Sequence, residues 1–246
     1  MKIVGALAFG VVWAVSMDAQ IVTTLNRLPN GSSQITIRNN GAMPLTAFAV
    51  SVDVVGERLE LGPASLAPLD TYYDPATDFI TQPLPPNRDR ALGPAKVFCK
   101  ASSGLTPWAP CELKQPIAAG IYADGTTTGD RALLAKLFTR RSSMLLAVET
   151  ALDMLNDAGQ RNIPRAEWIE QFQKMADLAR RWYVPREQQI AGNVYQSIVE
   201  KMVNLPEDAR LVPASFVTQE AARLRRQRLR LMESQPSLAE AAIIAR

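Results

Sequence analysis

Five arginines, Arg223, Arg225, Arg226, Arg228 and Arg230, stand within eight residues of one another. Nowhere else does the chain concentrate charge so densely. On a helix they spread over more than half the circumference, with Arg223, Arg226 and Arg230 on one side. Such a face suits anionic lipid, polysaccharide or nucleic acid, and its affinity would fall with salt. No aromatic residue interleaves with the arginines to stack on bases, so nucleic acid is not the expected partner. An envelope protein or an anionic polymer is. The competing reading is a solvated helix face whose arginines pair with acids of the same chain. Residues 131–246 hold 18 basic and 13 acidic side chains, +5, whereas residues 1–130 hold 9 and 11, or −2. The basic excess belongs to the second half.

Carboxylates offer two further candidates. Asp124-Gly125-Thr126-Thr127-Thr128-Gly129-Asp130 brings hydroxyls between two acids, the hard oxygen donors that calcium prefers. Counted as an EF-hand loop from Asp124, however, the third, fifth and twelfth positions hold Thr126, Thr128 and Ala135, and no Gly-Lys-Ser/Thr ending makes it a phosphate loop. The simpler expectation is a turn at Asp124-Gly125, followed by a helix capped by Thr127 with Asp130 at its third position. Asp70, Asp74 and Asp78 lie in a tyrosine-containing stretch, Leu69 to Phe79, where paired acids could serve glycan hydrolysis. Asp74-Pro75 reads as an ordinary turn opening on the surface.

Histidine is absent. That removes Ser-His-Asp and Cys-His nucleophile systems, HExxH zinc sites and haem held by a proximal imidazole. Cys99 and Cys111, the only two cysteines, cannot make a four-ligand zinc site alone and are not spaced as CxxC. A single disulfide is expected of them in an exported chain. No catalytic, cofactor-binding or metal site is assigned, and no cofactor is expected.

The address comes from the first 16 residues. Lys2 precedes an apolar run from Ile3 to Val15, and Ala14-Val15-Ser16 offers small residues where a signal peptidase reads. Those 13 residues would span roughly 20 Å as a helix, short of the roughly 30 Å of bilayer hydrocarbon. The expectation is a cleaved leader and a secreted or periplasmic protein with no transmembrane span.

The positioning elements change character near Asp124. Before it, Ile35 and Ile37 alternate with polar neighbours, Asn39-Asn40-Gly41 supplies a turn, and Thr46, Phe48, Val50, Val52 and Val54 resume the period of two. Asn30-Gly31-Ser32 fits both a hairpin turn and an N-glycosylation pattern. Glycines and prolines punctuate the stretch, and Pro83-Leu84-Pro85-Pro86 reads as a stiff loop crossing between sheets. These are the marks of a β-sandwich. After Asp124, Leu134, Leu137, Phe138, Leu145, Val148, Leu152 and Leu155 form the stripe of a helix from about Thr128 to Ala158. Asn162 would cap a second helix that buries Trp168, Phe172, Met175, Ala179 and Trp182. Ile190, Val194, Ile198 and Met202 mark a third, a fourth runs from Ser215 to about Glu233, and Leu238 to Ile244 adds a short apolar segment.

The stretch Gln34 to Phe48, a strand, an Asn-Asn-Gly turn and a second strand, resembles exported bacterial immunoglobulin-like modules of the CARDB type. Ile121 to Arg141, an Asp-Gly-Thr turn running into an Arg-Arg helix, is similar to a pattern in uncharacterised secreted bacterial proteins. The first resemblance implies a binding or spacing unit and brings no catalytic residues. Unlike an array of such modules, this chain follows one β region with a long helical half. The expected architecture is α+β: a signal peptide over 1–16, an immunoglobulin-like β-sandwich over 17–123, and about four α-helices over 124–246. The expected role is an exported, non-catalytic interaction or scaffold protein of the bacterial envelope. The alternatives are a carboxylate-dependent glycan hydrolase and an anionic-surface binder using the arginine helix.

Overall fold

The computed structural model describes residues 20–28, 33–53, 70–74, 77, 82–95, 98–99, 109–110, 113–161, 163–206 and 210–233. The leader, Asn30-Gly31-Ser32, Val54, Asp78, Cys111, Asn162 and the Leu238 to Ile244 segment lie outside them.

The first half is a sandwich of two antiparallel sheets. Strands β1 (Ile21–Arg27), β2 (Ser33–Asn39) and β5 (Asp89–Ala95) form one, in the order β1-β2-β5. Strands β3 (Leu45–Ser51), β4 (Asp70–Tyr73), β8 (Ile117–Tyr122) and β9 (Thr127–Gly129) form the other, in the order β4-β3-β8-β9. This division of strands is immunoglobulin-like. A short ladder of β6 (Phe98–Cys99) and β7 (Ala109–Pro110) stands between β5 and β8 in sequence. Ile35 and Ile37 face Phe48, Val50, Tyr73 and Leu84 across the interior, and the Phe48 and Tyr73 rings stack at 4.7 Å.

Asn39-Asn40-Gly41 does not fold β2 back onto β3, because the two strands lie in different sheets. Buried Asn39 holds the crossing: its Nδ2 donates to the Met43 and Leu84 carbonyls at 2.9 and 3.0 Å, and its Oδ1 accepts the Gly41 N–H at 2.9 Å. Glycine is needed at 41 for space, since a Cβ there would sit 2.8 Å from the Tyr122 ring. The Pro83 to Pro86 segment joins β4 in one sheet to β5 in the other, with Leu84 exchanging two backbone hydrogen bonds with Leu45.

Strand β3 is buried on both faces. One side meets the sandwich interior, while Ala47 and Ala49, with Ala119 and Ile121 of β8, form a shallow surface under Leu133, Leu134 and Leu137. Small residues on that face let a helix lie close to the sheet. The helix is α1 (Arg131–Arg161), 31 residues and therefore about 46 Å long. Its first turns pack on the sandwich. From Met144 to Leu155 it enters a second core with α2 (Arg165–Ala179), α3 (Ala191–Val203) and α4 (Ala214–Glu233). One continuous helix thus belongs to both halves.

A buried ion pair fastens the same junction. Arg141 of α1 grips Asp74, just past β4, with Nε to Oδ2 at 2.6 Å and Nη2 to Oδ1 at 3.0 Å, the side chains being 1% and 0% exposed. Nearby, the Tyr72 hydroxyl bonds Glu187 at 3.3 Å, and the Arg140 guanidinium lies 4.5 Å over the Tyr72 ring.

Three local expectations are corrected. Asp130, not Thr127, caps α1: its Oδ1 accepts the Leu133 N–H at 3.0 Å, while Thr127 is held in β9 opposite Ile121. The helix therefore starts at Arg131. Trp182 leaves the buried face because α2 ends at Ala179, where the Arg180 N–H closes back on the carbonyls of Ala176 and Asp177; Trp182 is 91% exposed. Asp74 opens a turn, its backbone carbonyl accepting the Thr77 N–H at 2.9 Å, yet its side chain is buried rather than on the surface because Arg141 reaches it from the helix.

Candidate functional site

The arginine run occupies the outer half of α4. Ala221, Leu224 and Leu231 recur at helical spacing and bury against α1 and its neighbours, which leaves Arg223 and Arg228 partly buried beside them. Arg228 is tied to Glu149 of α1 at 2.9 Å. Arg225, Arg226 and Arg230 lie on the exposed side of the helix.

Arg223 and Arg226 line a cleft of about 470 Å³ between the end of α3 and residues 216–226 of α4. Lys201 and Asn204 contribute from the α3 side, and Phe216, Gln219 and Glu220 from α4. Glu220 is the hinge of the arrangement. Its side chain is only 6% exposed; Oε2 takes the Lys201 ammonium at 2.7 Å and Oε1 takes the Arg223 Nε at 2.7 Å. The buried carboxylate holds two long cationic side chains in place from below, while Arg226 stands exposed one turn further on. Lys201, Arg223 and Arg226 against Glu220 leave the lining with a net charge of +2.

Its lining offers cationic donors already held in place. Preset cations spend less rotamer entropy on a ligand than free surface side chains do, and the arginine fork matches carboxylate, sulfate or phosphate oxygens in pairs. The structure thus brings two of the three sequence-predicted arginines together and adds Lys201. Arg230 does not line the cleft.

The other candidates resolve differently. Asp124 accepts the N–H and hydroxyl of Thr126 at 3.0 and 2.7 Å, which holds its carboxyl below the ordinary range. With Gly125 and Gly129 at φ of +84° and +94°, the motif builds the β8–β9 hairpin and the α1 cap. Among the described residues no three His, Cys, Asp or Glu side chains gather as a metal site. Asp74 is committed to Arg141 and closed to a sugar; the side chain of Asp70, like Asp78, lies outside the described residues. The β6–β7 ladder sets Cys99 opposite Ala109, but no disulfide is seen among the described residues. Among those residues, too, no helix is long and apolar enough to cross a membrane.

Sequence reasoning missed Lys201 and Glu220. The Glu220 to Arg223 spacing of three signals a pair on one helix, but nothing in the sequence says that the end of α3 meets this part of α4. The chain matches no protein-family model and no curated protein.

Proposed function

We propose that this is an exported, non-catalytic interaction or scaffold protein of the bacterial envelope, and that its helical half receives an acidic partner, an envelope protein or an anionic polymer, in the α3–α4 cleft. The observation that carries the reading is the cation cluster of Lys201, Arg223 and Arg226 organised by the buried Glu220. The apolar leader supports export, and a Cys99–Cys111 disulfide fits the oxidising compartment that export implies. The resemblance of Gln34 to Phe48 to CARDB-type modules supports a spacing role for the sandwich, with the binding surface carried by the helices. The capture of Asp74 by Arg141 weighs against the glycan hydrolase.

Retention of the protein from Met17 onward on immobilised heparin, a soluble-polyanion mimic, tests the cleft. The double variant Arg223→Gln/Arg226→Gln elutes at clearly lower salt, and Arg226→Glu, which disturbs no buried group, does the same. Elution of both variants with the unsubstituted protein overturns the proposal. Cell fractionation tests the address: the chain leaves the cytoplasm with its N-terminus at Met17, and an intact leader in the cytoplasmic fraction refutes export.

A further inference from the structure

The opposite end of α3 carries a different surface. Between Ala179 and Ala191 the chain makes a compact tip, closed by hydrogen bonds from the Val184 N–H to the Arg181 carbonyl at 2.9 Å, from the Gln188 N–H to the Pro185 carbonyl at 2.8 Å, and from Gln189 Nε2 to the Val184 carbonyl at 2.9 Å. From this fixed tip Trp182 projects 91% exposed and Tyr183 59% exposed. A tryptophan so uncovered is unusual, since its large apolar surface is ordinarily shielded.

The chemistry around the two rings narrows what covers them. Arg180, Arg181 and Arg186 are all exposed on the same tip; Arg181 donates to the Tyr183 hydroxyl at 3.0 Å, and Arg180 donates to Asn193 at 3.0 Å. The acids that flank the tip in sequence have partners of their own: Glu187 the Tyr72 hydroxyl and, at 4.0 Å, Lys136, and Asp177 the Gln173 amide. The rings meet edge to face, 5.8 Å apart at 83°. Two perpendicular rings make a wedge rather than a platform, which disfavours stacking on a sugar or base. A wedge of Trp and Tyr ringed by arginines matches the interfacial zone of a bilayer, where aromatic rings sit at headgroup depth and cations meet lipid phosphates.

We infer that the Arg180 to Arg186 tip is a peripheral attachment site for an anionic lipid surface, with Trp182 and Tyr183 inserting between headgroups and the three arginines contacting their phosphates. The inference goes beyond the anion-binding cleft and does not depend on it. The 13 residues of α3 separate the two by roughly 20 Å, so one end can rest on a membrane while the other holds a partner.

The test is co-sedimentation of the protein from Met17 onward, freed of an apolar leader that would itself bind lipid, with vesicles of phosphatidylglycerol and phosphatidylcholine. Binding to the mixed vesicles, little binding to pure phosphatidylcholine, and a blue shift of tryptophan emission that disappears in Trp182→Phe are expected. Trp182→Ala/Tyr183→Ala weakens binding by roughly tenfold or more, while Arg223→Gln/Arg226→Gln leaves it unchanged. Because both rings are exposed, the variant keeps its fold, which circular dichroism verifies. Equal vesicle binding by wild type and the double-alanine variant overturns the inference. So does wild type that ignores anionic vesicles, or that self-associates through Trp182 instead.

Discussion

The Arg141–Asp74 pair is the point at which the sandwich and the helices are most sharply coupled, and Asp74→Asn is the smallest change that breaks it. The substitution keeps the volume and removes the negative charge facing a guanidinium that is 1% exposed and bound through two contacts of 2.6 and 3.0 Å. Breaking a buried ion pair from one side costs about 3–5 kcal/mol. At roughly 2–4 °C per kcal/mol for a chain of this size, the melting temperature falls by about 6–20 °C. Arg141→Met, which replaces the cation with an apolar chain of similar length, costs a comparable amount by removing the charge that faces buried Asp74. The double variant removes both charges, so its loss is smaller than the sum of the single losses by at least about 2 kcal/mol. Urea unfolding of the four proteins closes this cycle. Single losses below about 0.5 kcal/mol, the ordinary scale of surface changes, or losses that add without coupling, would mean that the pair does not fasten the two halves.

Four further outcomes follow from particular residues. Gly129→Ala places a Cβ 2.2 Å from the Ala118 carbonyl at a φ of +94° and is expected to cost about 3 kcal/mol or more, whereas Gly125→Ala, with φ +84° and no atom within 4 Å, costs about 1 kcal/mol; thermal unfolding separates the two. Burial, and then the neighbouring Asp124, push the Tyr122 hydroxyl from 10.0 up to about 12. The folded state therefore holds that proton more tightly than the unfolded chain, and the contribution is complete below pH 10 and lost as pH rises towards 12. Tyr122→Phe flattens this part of the stability profile, and identical pH slopes for the two proteins would contradict it. Quantifying free thiols in the unfolded, unreduced protein finds none if Cys99 and Cys111 are joined, and reduction then lowers stability by roughly 3 kcal/mol.

The helical cores were the most legible part of the chain, because each buries a stripe against a neighbour. Ile190, Val194, Ile198 and Met202 are all buried as their spacing implies. The sandwich was legible as a class from the alternation in β2 and β3. The assignment of those strands to different sheets was not, since it depends on Asn39 bonding to Leu84, 45 residues away. The role of Ala47 and Ala49 on β3 depends on the helix above them, which no local pattern reports. The candidate site was half legible. Charge density on one helix exposed Arg223 and Arg226, but Lys201 joins them through α3, and no local pattern reports a contact between helices. Trp182 continued the apolar spacing of α2 past the true end of that helix, which is why periodicity alone placed it in the core.

Two arginines of α4 are the proposed contact for an anionic partner. The most direct test of that contact is the salt dependence of heparin affinity, followed by calorimetry for the protein from Met17 onward. Each phosphate-like or sulfate group neutralised adds roughly one to the slope of log K against log salt. Arg223→Gln/Arg226→Gln is expected to lower that slope by about two and to weaken binding, while Arg230→Gln, outside the cleft, changes it far less. An unchanged slope in the double variant, or an equal loss from Arg230→Gln alone, would contradict the account.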